Sequence, residues 1–212
     1  MDKKEQIDTF SRLSRVSRET ITSLKKYEDL LINANKSLNL IGNSTISNIW
    51  ERHFLDTFQI IDFIDKNDRS LTDFGSGAGF PGLILAIAAK DRNMSLKITL
   101  IEKSKKKINF LNQINSELNL NAKVICKNIL DEDKKFASDV FVARAFKPFQ
   151  IILELIHNKV ENYKKFFVFL GKTGSKELLQ ASKNWNIKYK QRLSVTSSDS
   201  LIIEINELKK IN

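Results

Sequence analysis

The chain has 212 residues, 42% of them hydrophobic and 28% charged, with a formal net charge of +10 and a single cysteine. That length suits one α/β domain with an added element, and the lone Cys126 excludes an intramolecular disulfide or a cysteine-cluster metal site. The longest apolar runs, Leu83–Ala89 and Phe166–Leu170, fall far short of a bilayer span, and the charged N-terminus lacks a signal-peptide stretch, so a cytoplasmic protein is expected.

From Lys3 to about Asn33, apolar residues return with helical spacing (Ile7, Phe10, Leu13, Val16, then Leu24, Tyr27, Leu31), which predicts amphipathic helices on a core. A further helix is expected over Ser47–Ile64, with Ser44 or Ser47 at its start and Trp50, Phe54, Leu55, Phe58 and Ile61 on its buried side. Together they make an N-terminal helical cap, residues 1–68, ahead of a core domain, residues 69–212. Charge divides along the same line. Residues 1–70 carry eleven Lys/Arg against eleven Asp/Glu, and the remainder twenty-four against fourteen. An excess of that size favours a polyanion such as RNA, although a chain rich in Lys, Asn and Ile also reaches it by composition alone.

After Asp68 the period changes. Strands are predicted near Ser70–Gly75, Leu96–Glu102, Ala122–Lys127, Asp139–Arg144 and Phe166–Leu170, alternating with helices at Gly79–Lys90, Ser104–Leu118, Phe149–Val160 and Ser175–Trp185. Alternation of this kind implies a parallel, doubly wound α/β sheet. Lys188–Thr196 and Leu201–Glu207 then read as two strands joined by a turn at Ser197–Asp199, adding an antiparallel hairpin.

Four of the seven glycines fall in Asp73-Phe74-Gly75-Ser76-Gly77-Ala78-Gly79-Phe80-Pro81-Gly82, between the first strand and its helix. Glycine permits positive φ and close backbone approach, so a nucleotide-like cofactor is expected at this turn. Gly75, Gly77 and Gly79 give G-x-G-x-G, whereas Gly77, Gly79 and Gly82 give the dinucleotide G-x-G-x-x-G. Glu102, ending the second strand, is placed to accept ribose hydroxyls of either cofactor. Ile129 and Leu130, after the third, are placed to pack on the adenine. Arg144 ends the fourth strand at the same rim, followed by Phe146 and Phe149, which either stack on a target base or pack in the core. The run Lys103–Lys107 opens a helix, where positive charge opposes the dipole and invites an anion such as RNA phosphate. Cys126 is expected in the core. His157 is expected to be structural, and His53 is read either as a helix-packing residue or as part of the site rim. Neither histidine carries a metal-binding pattern, so no metal is expected.

The segments Asn39-Leu40-Ile41-Gly42, Arg52-His53-Phe54-Leu55-Asp56-Thr57, Asp73–Gly82 and Ala143-Arg144-Ala145 together resemble the bacterial small-subunit rRNA guanine-N7 methyltransferases, the glucose-inhibited division protein B family. The resemblance implies a class I methyltransferase fold with a helical extension. It also implies S-adenosyl-L-methionine as cofactor and methyl transfer to N7 of a guanine in 16S rRNA, free or within the small ribosomal subunit. By it, Gly75, Phe80, Ile129, Leu130 and Arg144 fall on cofactor-contacting positions and Lys106 on a basic RNA-binding position. Where many members carry Lys-Gly after the fifth strand, this chain has Gly171-Lys172, which leaves Lys172 as the candidate RNA-binding lysine. Guanine N7 offers a free lone pair at neutral pH, so the reaction needs positioning and no general base. An NAD(P)-dependent oxidoreductase and a noncatalytic RNA-binding module are the competing readings, and a monomer is expected.

Overall fold

The computed structural model describes residues 1–211. Strands β1 (Ser70–Phe74), β2 (Lys97–Glu102), β3 (Lys123–Cys126), β4 (Val140–Arg144), β5 (Lys165–Leu170), β6 (Trp185–Ser194) and β7 (Ser197–Lys210) form one sheet, ordered β3-β2-β1-β4-β5-β7-β6. The first five run parallel, and β7 is antiparallel to both β5 and β6. Strand order reverses between β1 and β4, which leaves a crevice at their carboxyl ends of the kind in which open α/β sheets bind ligands.

Period-two alternation gives the sheet two buried faces. In β4, Val140 and Val142 join the cluster that holds the cap together with helices α3 (Gly82–Asp91) and α4 (Lys105–Glu117). Phe141 and Ala143 face the other cluster, under α5 (Phe149–Lys159) and α6 (Gly174–Ala181). This is the doubly wound sheet with a terminal hairpin that the sequence predicts.

The cap begins with α1 (Lys3–Ser14), started by a reciprocal Asp2–Glu5 capping box, and α2 (Arg18–Leu38). The second helix continues past the expected end near Asn33 until Asn39 takes a left-handed conformation at φ 47. The predicted single helix over Ser47–Ile64 is instead a segment of changing pitch: 3-10 over Asn43–Asn48, π over Trp50–Leu55, a short α turn at Asp56–Phe58 and 3-10 again over Gln59–Phe63. A wide π turn departs from the regular helical period. It lets Trp50, Phe54 and Phe58 enter the core while His53 and Asp56 reach Arg144 at the sheet rim.

Four other expectations are corrected. Cys126 is exposed because β3 is an edge strand. Trp185 opens β6 instead of ending a helix, and it lies buried, 5.4 Å edge-on from the His157 ring. Val160 leaves α5 and pairs with Phe136 in a separate two-residue ladder. The hairpin turns at Val195-Thr196, earlier than Ser197–Asp199, because its tip is fastened to the cap: Val195 N–H donates to Gln59 Oε1 at 3.1 Å and Thr196 Oγ1 to Asp56 Oδ1 at 3.1 Å.

Candidate active site

A cavity of about 420 Å³, within the range of small-molecule sites, opens over the carboxyl ends of β1 to β4. Its floor is the glycine turn. Gly75 and Ser76 donate backbone N–H groups to the Ile101 carbonyl at 2.9 and 3.1 Å, which welds the turn to β2. Gly75, Gly77 and Gly79 all have positive φ, but they differ in purpose. A Cβ on Gly75 would overlap the Phe146 ring at 2.0 Å, and one on Gly79 would meet the Tyr27 hydroxyl at 2.4 Å. One on Gly77 would meet nothing nearer than the Gly75 carbonyl at 3.7 Å. Gly77 therefore keeps cavity space open, whereas Gly79 lets the cap close on the turn. Tyr27 completes that closure: its hydroxyl donates to the Ala78 carbonyl at 2.6 Å, and burial raises its pKa well above the ordinary phenol value. Below the turn, Asp73 is fully buried, with Oδ2 accepting from Gly82 N–H at 3.0 Å and Oδ1 unpartnered. Burial pushes its carboxyl up to about 7.

Glu102 lines the cavity at the end of β2. Its Oε2 accepts from Gly77 N–H at 3.0 Å, and its Oε1 accepts from the N–H groups of Lys103 and Ser104 at 2.8 and 2.9 Å. These backbone donors fix the carboxylate and leave further lone-pair capacity, as acceptance of ribose hydroxyls requires. Ile129 lines the adjoining end; Leu130, one step along a 3-10 turn, points outward and is 41% exposed. The open cradle at Gly77, the fixed acceptor at Glu102 and the apolar wall at Ile129 together fit an adenosine-bearing cofactor.

Arg144 stands at the other end, held almost entirely by the cap. Its Nε donates to Asp56 Oδ2 at 3.1 Å, its Nη2 to the Arg52 carbonyl at 2.6 Å, and its Nη1 meets His53 Nδ1 at 3.2 Å. A guanidinium only donates, so His53 Nδ1 accepts, and Nε2–H donates to Thr45 Oγ1 at 2.8 Å. Burial first, then the Arg144 and Arg52 charges, lowers the His53 pKa to about 3 and keeps the ring neutral. That ring stacks on Phe80 at 5.1 Å and 10°, and Phe80 in turn stacks on Tyr27 at 5.7 Å and 29°. Asp56 Oδ1 also accepts from Ser194 Oγ at 2.7 Å, so one carboxylate joins cap, β4 and hairpin.

Of the sequence-predicted residues, Gly75, Gly77, Phe80, Glu102, Ile129 and Arg144 share this cavity. Gly79 packs behind it, and Lys106 is exposed outside its wall, where Lys103 and Lys107 take part instead. Lys172 is 85% exposed and follows Gly171, which lines a different cavity. Phe146 lines the site, while Phe149 is core. Sequence reasoning missed Leu40, Ile41 and Gly42 as cavity wall, although they belong to a segment that carries the family resemblance. Asn35 sets that loop by accepting from Ile41 N–H at 2.9 Å and donating to the Ile41 carbonyl at 3.1 Å. Among the described residues there is no cluster of three or more potential metal ligands and no helix long and apolar enough to cross a membrane.

Solved structures with the same sheet include the 16S rRNA methylase RmtB (TM-score 0.54, 14% identity, covering 91% of this chain and 76% of that one). Another is TrmK of M. capricolum with S-adenosyl-homocysteine (TM-score 0.50, 19% identity, covering 71% and 66%). The fold is that of class I S-adenosylmethionine-dependent methyltransferases. Ribosomal RNA small subunit methyltransferase G of Pelagibacter ubique (strain HTCC1062) is 40% identical over 199 residues, covering 93% of both chains. Its namesake in Rickettsia bellii (strain OSU 85-389) is 36% identical over 197 residues, covering 92% of this chain and 98% of the relative. The family model for rRNA small subunit methyltransferase G matches residues 20–204. The glycine turn, the Glu102 carboxylate and the cap-anchored Arg144 thus line one cavity in a chain that belongs to the rRNA small subunit methyltransferase G family, and the oxidoreductase reading falls.

Proposed function

We propose that this protein methylates N7 of a guanine in 16S rRNA, in the free rRNA or in the small ribosomal subunit, with S-adenosylmethionine as donor. The observation that carries the reading is one cavity that brings together the Gly77 cradle, the Glu102 carboxylate and the Arg144 wall at the strand reversal. When bound, S-adenosylmethionine supplies an electrophilic methyl carbon: the guanine N7 lone pair forms the N–C bond as the C–S bond breaks, giving a cationic methylated base and a neutral thioether with no proton moved.

The chain's own residues have positioning work to do. Glu102, held by three backbone N–H groups, anchors the ribose end, and Phe80, backed by His53 and Tyr27, sets the wall beside the turn. The cap segment Leu40–Gly42 forms part of the cavity wall, which narrows the space around a reaction limited by orientation. Arg144 presents fixed positive charge and a rigid surface at the reacting end. No side chain is asked to act as a general base. The basic excess of the core, with Lys103, Lys107, Lys127 and Lys147 around the cavity mouth, suits the rRNA backbone.

Mapping of N7-methylguanine across rRNA at nucleotide resolution, with and without the gene, tests the proposal. Loss of one 16S modification on deletion is expected. An unchanged map would overturn it.

A further inference from the structure

A second cavity, of about 320 Å³, lies on the far side of Arg144, over the ends of β4 and β5 and against the β6–β7 turn. It shares His53, Arg144 and Ala145 with the cofactor cavity and no other residue. These three line the rim at which the two cavities meet. Along the rim of the first cavity, Ile129, Glu102, the glycine turn and Arg144 succeed one another in the order of strands β3, β2, β1 and β4. A nucleoside anchored at Ile129 and Glu102 thus has its reactive end at this shared rim, and an in-line nucleophile approaches from the second cavity's side.

We propose that the second cavity receives the acceptor guanine nucleotide, extruded from its rRNA loop, with Phe169 as the face on which the base packs and Arg52 as the cation for its phosphate. This rests on the methyl-transfer reading above. The volume suits one flat base, and enzymes that modify bases commonly draw them into a fitted pocket. The lining chemistry matches. Phe169 is half-buried, and its ring lies 6.0 Å from the Arg144 guanidinium carbon. Arg52 is exposed, and its guanidinium pairs with no carboxylate among the described residues, while its backbone carbonyl is fixed by Arg144. The acid in the wall, Asp56, is occupied by Arg144, Ser194, Thr196 and Gln59 and does not repel an anionic ligand as a free carboxylate would. Lys172, 85% exposed and 4.0 Å from Asp199, follows Gly171 at the rim, and a Cβ added at Gly171 would meet no atom within 4 Å.

Two variants test the assignment: Gly171→Leu, which adds bulk where the protein leaves space, and Arg52→Gln, which removes charge from a side chain without a protein partner. Each is compared with the parent for thermal stability, for S-adenosylhomocysteine affinity by calorimetry, and for tritiated-methyl transfer to small subunits isolated from a strain lacking the gene. Stability and S-adenosylhomocysteine affinity are expected to stay within about twofold of the parent. Arg52→Gln is expected to raise the KM for subunits about tenfold with little change in kcat, the loss of one charged hydrogen bond. Gly171→Leu should lower kcat/KM by about a hundredfold or more, the scale of a misplaced reactant. Parent-like transfer by both variants overturns the assignment, as does loss of S-adenosylhomocysteine affinity, which would assign the cavity to the cofactor. If the parent itself labels no guanine N7, the functional reading fails as well, and that result is distinct from either.

Discussion

At the scale of single residues, we propose that Arg144 both holds the cap to the sheet rim and orients the reaction, two roles that one substitution separates. Arg144→Ala strands the Asp56 carboxylate and the accepting nitrogen of His53, and breaking such a partly buried pair typically costs about 3 kcal/mol or more. An alanine variant therefore loses stability as well as turnover. Arg144→Lys retains the charge but not the fork that spans Asp56, His53 and the Arg52 carbonyl, so methyl transfer should fall about a hundredfold with a smaller drop in Tm. Equal losses in both variants would show that charge geometry is unimportant. His53 makes a pH prediction. Its folded pKa of about 3 lies below the ordinary imidazole value of 6.5, so the folded state binds fewer protons between those values and stability drops as pH falls from 6.5 toward 3. His53→Gln should flatten that part of the stability–pH curve, measured by denaturant unfolding; an unaltered slope would contradict a neutral buried ring. Gly75, Glu102, Ile129 and Arg144 were legible in the sequence because strand ends in an alternating α/β pattern fall at one rim. Asp56 was legible only through the segment that carries the family resemblance, because its partners lie 88 and 138 positions away and no local period announces them.

At the scale of elements, the glycine turn and α2 form one device. Tyr27→Phe removes the donor to the buried Ala78 carbonyl and should cost about 1–3 kcal/mol. It should also weaken S-adenosylhomocysteine binding through a looser turn, which calorimetry would detect; intact affinity at lowered stability would limit Tyr27 to packing. Gly77→Ala should act in the opposite proportion. Its φ of 55 is tolerable at modest strain, but its side chain enters the cradle, so cofactor affinity is expected to fall more than stability. The regular strands and helices were readable from their periods. The segment Asn43–Phe63 was not, because its apolar residues satisfy an α-helical period well enough to hide the π turn that aims His53 and Asp56 at the rim. The hairpin turn was misplaced for a related reason: polar Ser197–Asp199 has turn composition, yet tertiary bonds to Gln59 and Asp56 set the bend at Val195-Thr196.

For the whole molecule, the boundary at residue 68 separates two patterns of sequence but crosses one hydrophobic cluster. Phe10, Leu24, Tyr27 and Trp50 from the cap pack in the same cluster as Leu83, Ile84, Leu100 and Phe110 from the core. We propose that the two regions fold as one unit, so a fragment of residues 69–212 should be aggregated or lack a cooperative thermal transition. A stable, cofactor-binding fragment would show that the cap is an attachment. The cap's burial was legible from its apolar stripe, whereas its place in the wall of the cavity over the strand ends depends on contacts between distant segments.

The hairpin tip has a consequence in time. Ser194 and Thr196 brace the carboxylate that orients Arg144, and they lie far downstream of every other member of that network. During synthesis, the same late-emerging stretch supplies both the brace on Asp56 and the two strands that complete the sheet, Trp185–Ser194 and Ser197–Lys210, so the setting of Arg144 and the closing of the fold are expected to be completed together.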